Sequence, residues 1–181
     1  EKLSTRLAGK YMGFPRKCLQ QYDKYFVKGT KLRRAYMGLA LYAAEYKVRQ
    51  LWSQGLAVVM DGYWLNQTAQ VIAWMFSSRN LSLPAPGHRV YEWPEDLTMP
   101  DIIFYLKVPI RDTVQLPAWM SLVPEVYKRI KKPKVVVLEP KAGVDDTVAA
   151  MHKYMDGFLK DKCDLSCTTP WPESEHVAYE Y

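Results

Sequence analysis

The chain has 181 residues, 49% hydrophobic and 24% charged, enough for one domain with a real core and too few for two. No run of eighteen apolar residues occurs, which excludes a membrane-spanning helix, and Glu1-Lys2-Leu3-Ser4-Thr5 does not read as a signal peptide. The net charge of +6 is compatible with nucleic acid, anionic lipid or phosphorylated ligands and selects none of them.

Taken in order, Leu3, Leu7, Ala8 and Tyr11 recur at helical spacing, so an amphipathic helix is predicted over residues 2–11, broken by Gly13 and Pro15. A short helix is expected within 17–26. Thr30 is the candidate N-cap of a long helix over 31–54, whose apolar residues include Tyr36, Leu39, Ala40, Ala43, Val48, Leu51 and Trp52. Gly55 is its expected stop. Leu56-Ala57-Val58-Val59-Met60, closed by Asp61, is an unbroken apolar run of the kind found in strands buried on both faces. A second helix is predicted over 65–77, then a loop from Ser78 to Pro100. Ile102 to Leu106 is a strand, 117–131 helical, Lys134 to Leu138 a strand, and Val144 to Lys160 a helix with Asp145 and Asp146 in its dipole-favoured first turn. Residues 1–160 form the expected domain, and 161–181 a polar tail. This alternation of strand and helix predicts an α/β fold with a parallel sheet, whose ligands bind at the carboxyl ends of the strands. Those ends are Asp61 with its followers and the segment after Leu106.

Cys18, Cys163 and Cys167 are odd in number and lack a framework spacing, which argues for a reducing compartment. Cys163 and Cys167 suggest half of a metal site, but no second Cys/His pair completes it, so no metal is expected. Lys128, Arg129, Lys131, Lys132 and Lys134 form the densest basic cluster, with only Tyr127 interleaved. A solvated helix end explains it better than a nucleic-acid face.

Three stretches carry a resemblance to a known family. They are Arg33-Arg34-Ala35-Tyr36-Met37-Gly38-Leu39, Val58-Val59-Met60-Asp61-Gly62-Tyr63-Trp64, and Pro86 to Leu97 (PGHRVYEWPEDL) with Pro100-Asp101. Together they make residues 22–108 similar to the thymidylate kinase family, closest to its mitochondrial UMP/CMP-kinase branch. The resemblance implies a parallel-sheet P-loop nucleoside monophosphate kinase fold of five strands. It also implies phosphoryl transfer from ATP with Mg²⁺ to a pyrimidine nucleotide, and a mitochondrial location. On it, Asp61 would be catalytic, near Mg²⁺ and the acceptor phosphate. Tyr63, Trp64, Asn66 and Gln70 would line the nucleoside pocket, Arg33 and Arg34 would be phosphate ligands, and Arg111 would belong to the lid.

The sequence also departs from that pattern. No G-x-x-x-x-G-K-S/T loop is present, although its backbone N–H groups and Lys are what hold the transferred phosphate. Gly62 stands where the family has Arg, and Tyr46 where thymidylate kinases often carry another. The lid segment holds only Arg111. The central strand is absent too, so the strands near 56–60 and 102–106 should flank an empty slot whose polar backbone needs a partner. Residues upstream of Glu1 are the expected filler, with a strand from another chain as the alternative. The leading expectation is a catalytically degenerate kinase-like protein, an accessory or structural subunit that needs no cofactor and has protein partners. The alternatives are an active nucleoside monophosphate kinase with its loop and lid elsewhere, and a basic-surface nucleic-acid binder.

Overall fold

The computed structural model describes residues 1–108, 116–140 and 143–162, of which 161 and 162 by their backbone alone. Its elements run α1 (Lys2–Arg6), β1 (Lys10–Gly13), α2 (Lys17–Gln20), α3 (Lys31–Trp52), β2 (Val58–Asp61), α4 (Trp64–Ser78), β3 (Ile102–Leu106), α5 (Val123–Arg129), β4 (Lys134–Leu138) and α6 (Val144–Lys162). Single 3₁₀ turns lie at Asp23–Tyr25, Arg89–Tyr91 and Ala118–Leu122. The class is mixed α/β, and every strand pair is parallel.

The first expected helix is corrected. It stops at Arg6, and the chain turns into a strand. Ala8 takes φ +50, Ala8 N–H donates to Thr5 O at 3.2 Å, and Gly9 N–H donates to Ser4 O at 2.8 Å. That pair of bonds is a Schellman closure. Lys10 N–H then donates to Ala57 O at 2.8 Å. A Cβ on Gly9 would sit 2.4 Å from that carbonyl oxygen, so the approach of the two backbones requires glycine. Helical spacing at Tyr11 was accidental. The short helix expected within 17–26 becomes α2 and a 3₁₀ turn, and the stretch 117–131 becomes a 3₁₀ turn followed by α5.

The long helix forms as expected from Thr30, whose hydroxyl accepts from Arg33 N–H at 3.1 Å. It ends in a second Schellman closure, with Gly55 at φ +71, Gly55 N–H to Trp52 O at 2.9 Å and Leu56 N–H to Leu51 O at 3.1 Å. Leu56 packs beside buried Leu51, the apolar contact that accompanies such caps. Asn80, at φ +52, closes α4 in the same way.

The strands do not make one sheet. β1 pairs with β2 from Lys10↔Val58 to Gly13↔Asp61, and β3 pairs with β4 from Ile102↔Lys134 to Leu106↔Leu138. Among the described residues no strand bridges the two pairs, so each strand keeps one edge with no strand on it. The strand expected over 56–60 runs instead from Val58 to Asp61, and the one expected over 102–106 forms there. The apolar runs stay half-buried along most of their length instead of fully buried.

The larger core joins Leu65, Ala69, Ile72 and Ala73 of α4 to Tyr91, Trp93 and Leu97 of the following loop and to Val126, Tyr127 and Ile130. Ile103, Tyr105 and Val135 of the β3–β4 pair lie against it. The smaller core is Met12, Ala44 and Leu51, flanked by Phe14, Val48, Leu56, Val58 and Met60. Tyr63 borders both. No helix among the described residues is long and apolar enough to cross a membrane.

Candidate functional site

β1 and β2 end in register, so Gly13 and Asp61 lie side by side and the chain leaves both strands at one end. Phe14 follows one strand and Gly62 the other. Gly62 has φ +79, and a Cβ there would lie 3.7 Å from Phe14 Cβ and 3.5 Å from Asn66 Nδ2. There is room for a side chain, but the backbone conformation favours glycine. Asp61 is exposed. It acts on the neighbouring Tyr11 phenol, whose pKa is raised first by partial burial and then by the Asp61 carboxylate.

The residues expected to line a nucleoside pocket divide into two groups. Tyr63 and Trp64 turn inward. Tyr63 donates its O–H to Glu45, and its pKa is pushed far up by burial and by that carboxylate. Trp64 meets Trp93 edge-on with ring centroids 4.9 Å apart, and Tyr63 meets the same indole at 5.6 Å. Both are core residues. Asn66 and Gln70 face solvent one turn apart, with Gln70 Nε2 donating to Asn66 Oδ1 at 3.4 Å.

Arg33 donates to the Asp23 carboxylate and, at 3.2 Å, to the Asp23 carbonyl, and its guanidinium lies over the Tyr36 ring at 5.4 Å. It fastens the 23–25 turn to α3. Arg34 is exposed. Arg111 and the C-terminal tail with Cys163 and Cys167 lie outside the described residues.

Two residues of interest escape sequence reasoning. Glu45 is 5% exposed and accepts from Tyr63 O–H, from Thr98 O–H at 2.5 Å and from Arg49. Burial alone would raise its carboxyl pKa, but the hydrogen bonds from Thr98, Tyr63 and Arg49 outweigh burial and hold it below the usual value. One carboxylate therefore ties α3 to the start of α4 and to the loop entering β3. An acidic residue among Ala43, Ala44 and Tyr46 on a helix was the available signal. Gln67 Nε2 is buried with no hydrogen-bond partner, an orphan donor on α4 near Trp64 in sequence. No sequence signal distinguishes it from Gln70.

The basic segment is dispersed by the fold. Lys128 pairs with Glu125 at 2.7 Å, Lys131 lies against Gly87, and Lys134 sits over the rings of Tyr154 and Phe158. Asp61 is an exposed carboxylate at the end of β2, Glu139 follows the end of β4 and pairs with Lys107 at 3.3 Å, and no group of three or more potential metal ligands converges among the described residues. These residues do not fit Mg²⁺·ATP by themselves. Comparison with protein-family models, with curated proteins and with solved structures finds no match to this chain.

Proposed function

We propose that this chain is a thymidylate-kinase-like protein in which phosphoryl transfer is lost, and that it serves as a structural or accessory subunit of a larger assembly. Gly62 carries this reading. An acceptor phosphate calls for an arginine fork at the end of the strand. Position 62 has no side chain, and its φ of +79 would strain an arginine by about 1 kcal/mol. Among the other expected site residues, Arg33 is committed to Asp23, Tyr63 to Glu45 and Trp64 to Trp93. Of the expected site residues, Asp61, Asn66, Gln70 and Arg34 are left exposed, and the carboxylate at the strand end repels phosphate. A mitochondrial location and protein partners follow from the family resemblance alone.

The test is incubation of the purified protein with ATP, Mg²⁺ and CMP, dUMP or dTMP in turn. The expected result is no product above background and no nucleotide-dependent rise in melting temperature. Turnover sinks the reading.

One observation favours a second reading, an active nucleoside monophosphate kinase whose phosphate loop and lid lie outside these residues. β2 and β3 each lack a strand on one edge. A parallel strand between them would join the two pairs into the five-stranded sheet that the resemblance implies, and in that family the middle strand leads into the phosphate loop. Mass spectrometry of the protein from its natural source decides between them. A glycine-rich loop upstream of Glu1 together with turnover supports the second reading. A chain without that loop, and without turnover, supports the first.

A further inference from the structure

Residues 16–34 hold seven Lys and Arg side chains and one carboxylate, so this stretch carries the chain's whole net charge of +6 and the rest of the sequence balances to zero. Its one acid is turned inward. Asp23 accepts from Arg33, whose guanidinium lies over the Tyr36 ring. Tyr36 O–H donates to Leu19 O at 2.8 Å, and its ring stacks on Phe26 with centroids 4.4 Å apart. These contacts hold α2 and the 23–25 turn against the first turns of α3. What they leave outside is basic and aromatic. Lys17, Lys24, Lys28, Lys31 and Arg34 are exposed, and none of them is ion-paired among the described residues. Tyr22 and Tyr25 lie between these cations in sequence and are 48% and 66% exposed, with Lys24 Nζ 5.1 Å from the Tyr25 ring centroid. The other basic cluster differs on both counts: Lys128 is paired with Glu125, and its one aromatic, Tyr127, is buried.

We propose that this face binds a single-stranded polynucleotide, with phosphates against Lys17, Lys24, Lys28, Lys31 and Arg34 and bases stacked on Tyr22 and Tyr25. Unpaired surface cations gain affinity by releasing the counterions that phosphates hold. An exposed ring among them gives any unpaired base a flat partner, worth about 1–3 kcal/mol. A duplex keeps its bases stacked on one another and offers these rings only edges and sugars, so single strands are preferred. An anionic membrane is the weaker fit. Interfacial anchors rest on a broad apolar face, usually with Trp or Phe. Here Phe26 is turned onto Tyr36, α2 is only four residues long, and Val27 and Leu32 are two separate exposed aliphatic side chains. The surface owes nothing to the kinase resemblance, because Arg33, the better-placed candidate for a nucleotide phosphate, is held by Asp23 and takes no part.

Fluorescence anisotropy of the full chain with labelled oligouridine and oligothymidine of about twelve nucleotides, in about 50 mM salt, tests the proposal. Both strands should bind, and an RNA or DNA preference identifies the source of the strand. The logarithm of affinity should fall with the logarithm of salt at a slope between about −2 and −3.5, roughly 0.7 for each of three to five phosphates met. Tyr22→Ala and Tyr25→Ala should each weaken binding about tenfold and leave the slope unchanged. The Lys24→Ala, Lys28→Ala double variant should flatten the slope by about 1.4. All four side chains are exposed, so circular dichroism should not change. Lys128→Ala with Lys132→Ala should leave affinity as it is, and CMP in excess should not displace the strand. Absence of binding, tyrosine variants that bind like the wild type, or displacement by CMP overturns the proposal. Binding to phosphatidylserine vesicles without binding to either oligonucleotide overturns it in favour of a lipid surface.

Discussion

Glu45 is the residue on which most depends for its size. It is buried, yet it stays ionised because Thr98, Tyr63 and Arg49 all donate to it. Replacing it with Gln keeps the shape and removes the charge, so three charge-assisted bonds weaken together. The expected loss is about 2–3 kcal/mol at neutral pH. The sign with pH follows from the depressed folded pKa. Stability from Glu45 is fully present above the unfolded value, near 4.5, and is lost as pH falls through the lower folded value. The variant cannot titrate there, so the gap between it and the wild type should close in acid. Urea unfolding of both at pH 7 and at pH 3.5 reads this; an equal gap at the two values would remove the assigned role.

At the scale of elements, the caps and close approaches decide where helices give way to strands. Gly9→Ala should cost about 2–3 kcal/mol, because the added Cβ would meet the Ala57 carbonyl at 2.4 Å and backbone cannot move aside cheaply. Gly157→Ala in α6 is the contrast. Beyond the helix's own backbone nothing lies within 4 Å of its Cβ position, so the change should stabilise by up to about 1 kcal/mol. Thermal melts of both variants check the pair, and similar effects at the two glycines would refute the steric account. The same contrast shows what the sequence could reveal. Strands at 58–61, 102–106 and 134–138 were legible because parallel strands are apolar on both faces. The four-residue strand Lys10–Gly13 was not, because it is too short to show a period and Tyr11 happens to continue the helical spacing of Leu3 and Leu7. Its only cue was Gly9 inside a helical pattern. At the candidate site, Asp61, Asn66 and Gln70 do reach solvent at the strand end, whereas Tyr63 and Trp64 turn into the core. One aromatic looks like another in a sequence, and only the positions of Glu45 and Trp93 settle which way these two point.

For the molecule as a whole, the question is how two parallel pairs can stand without a common sheet. A two-stranded parallel unit is weak alone, and parallel sheets are normally covered on both faces and paired across the middle. Here the helices supply the missing continuity. α1 contacts β1, β2 and α6, α4 rests on the 3₁₀ turn and on α5, and Glu45 links α3 to Thr98 just before β3. The strand backbones are thus held in place while one edge of each has no strand to pair with. Successive amides along a strand point to opposite edges, so in β2 and β3 protection from hydrogen exchange should alternate residue by residue. Amides facing β1 or β4 should exchange slowly and those facing away should exchange quickly. Nuclear magnetic resonance of the chain in deuterated buffer resolves individual amides. Alternating protection in Val58–Asp61 and Ile102–Leu106 would mark open edges, with room for a further strand. Uniform protection across both strands would mean that the edges are already covered in solution, and the second functional reading would lose its support.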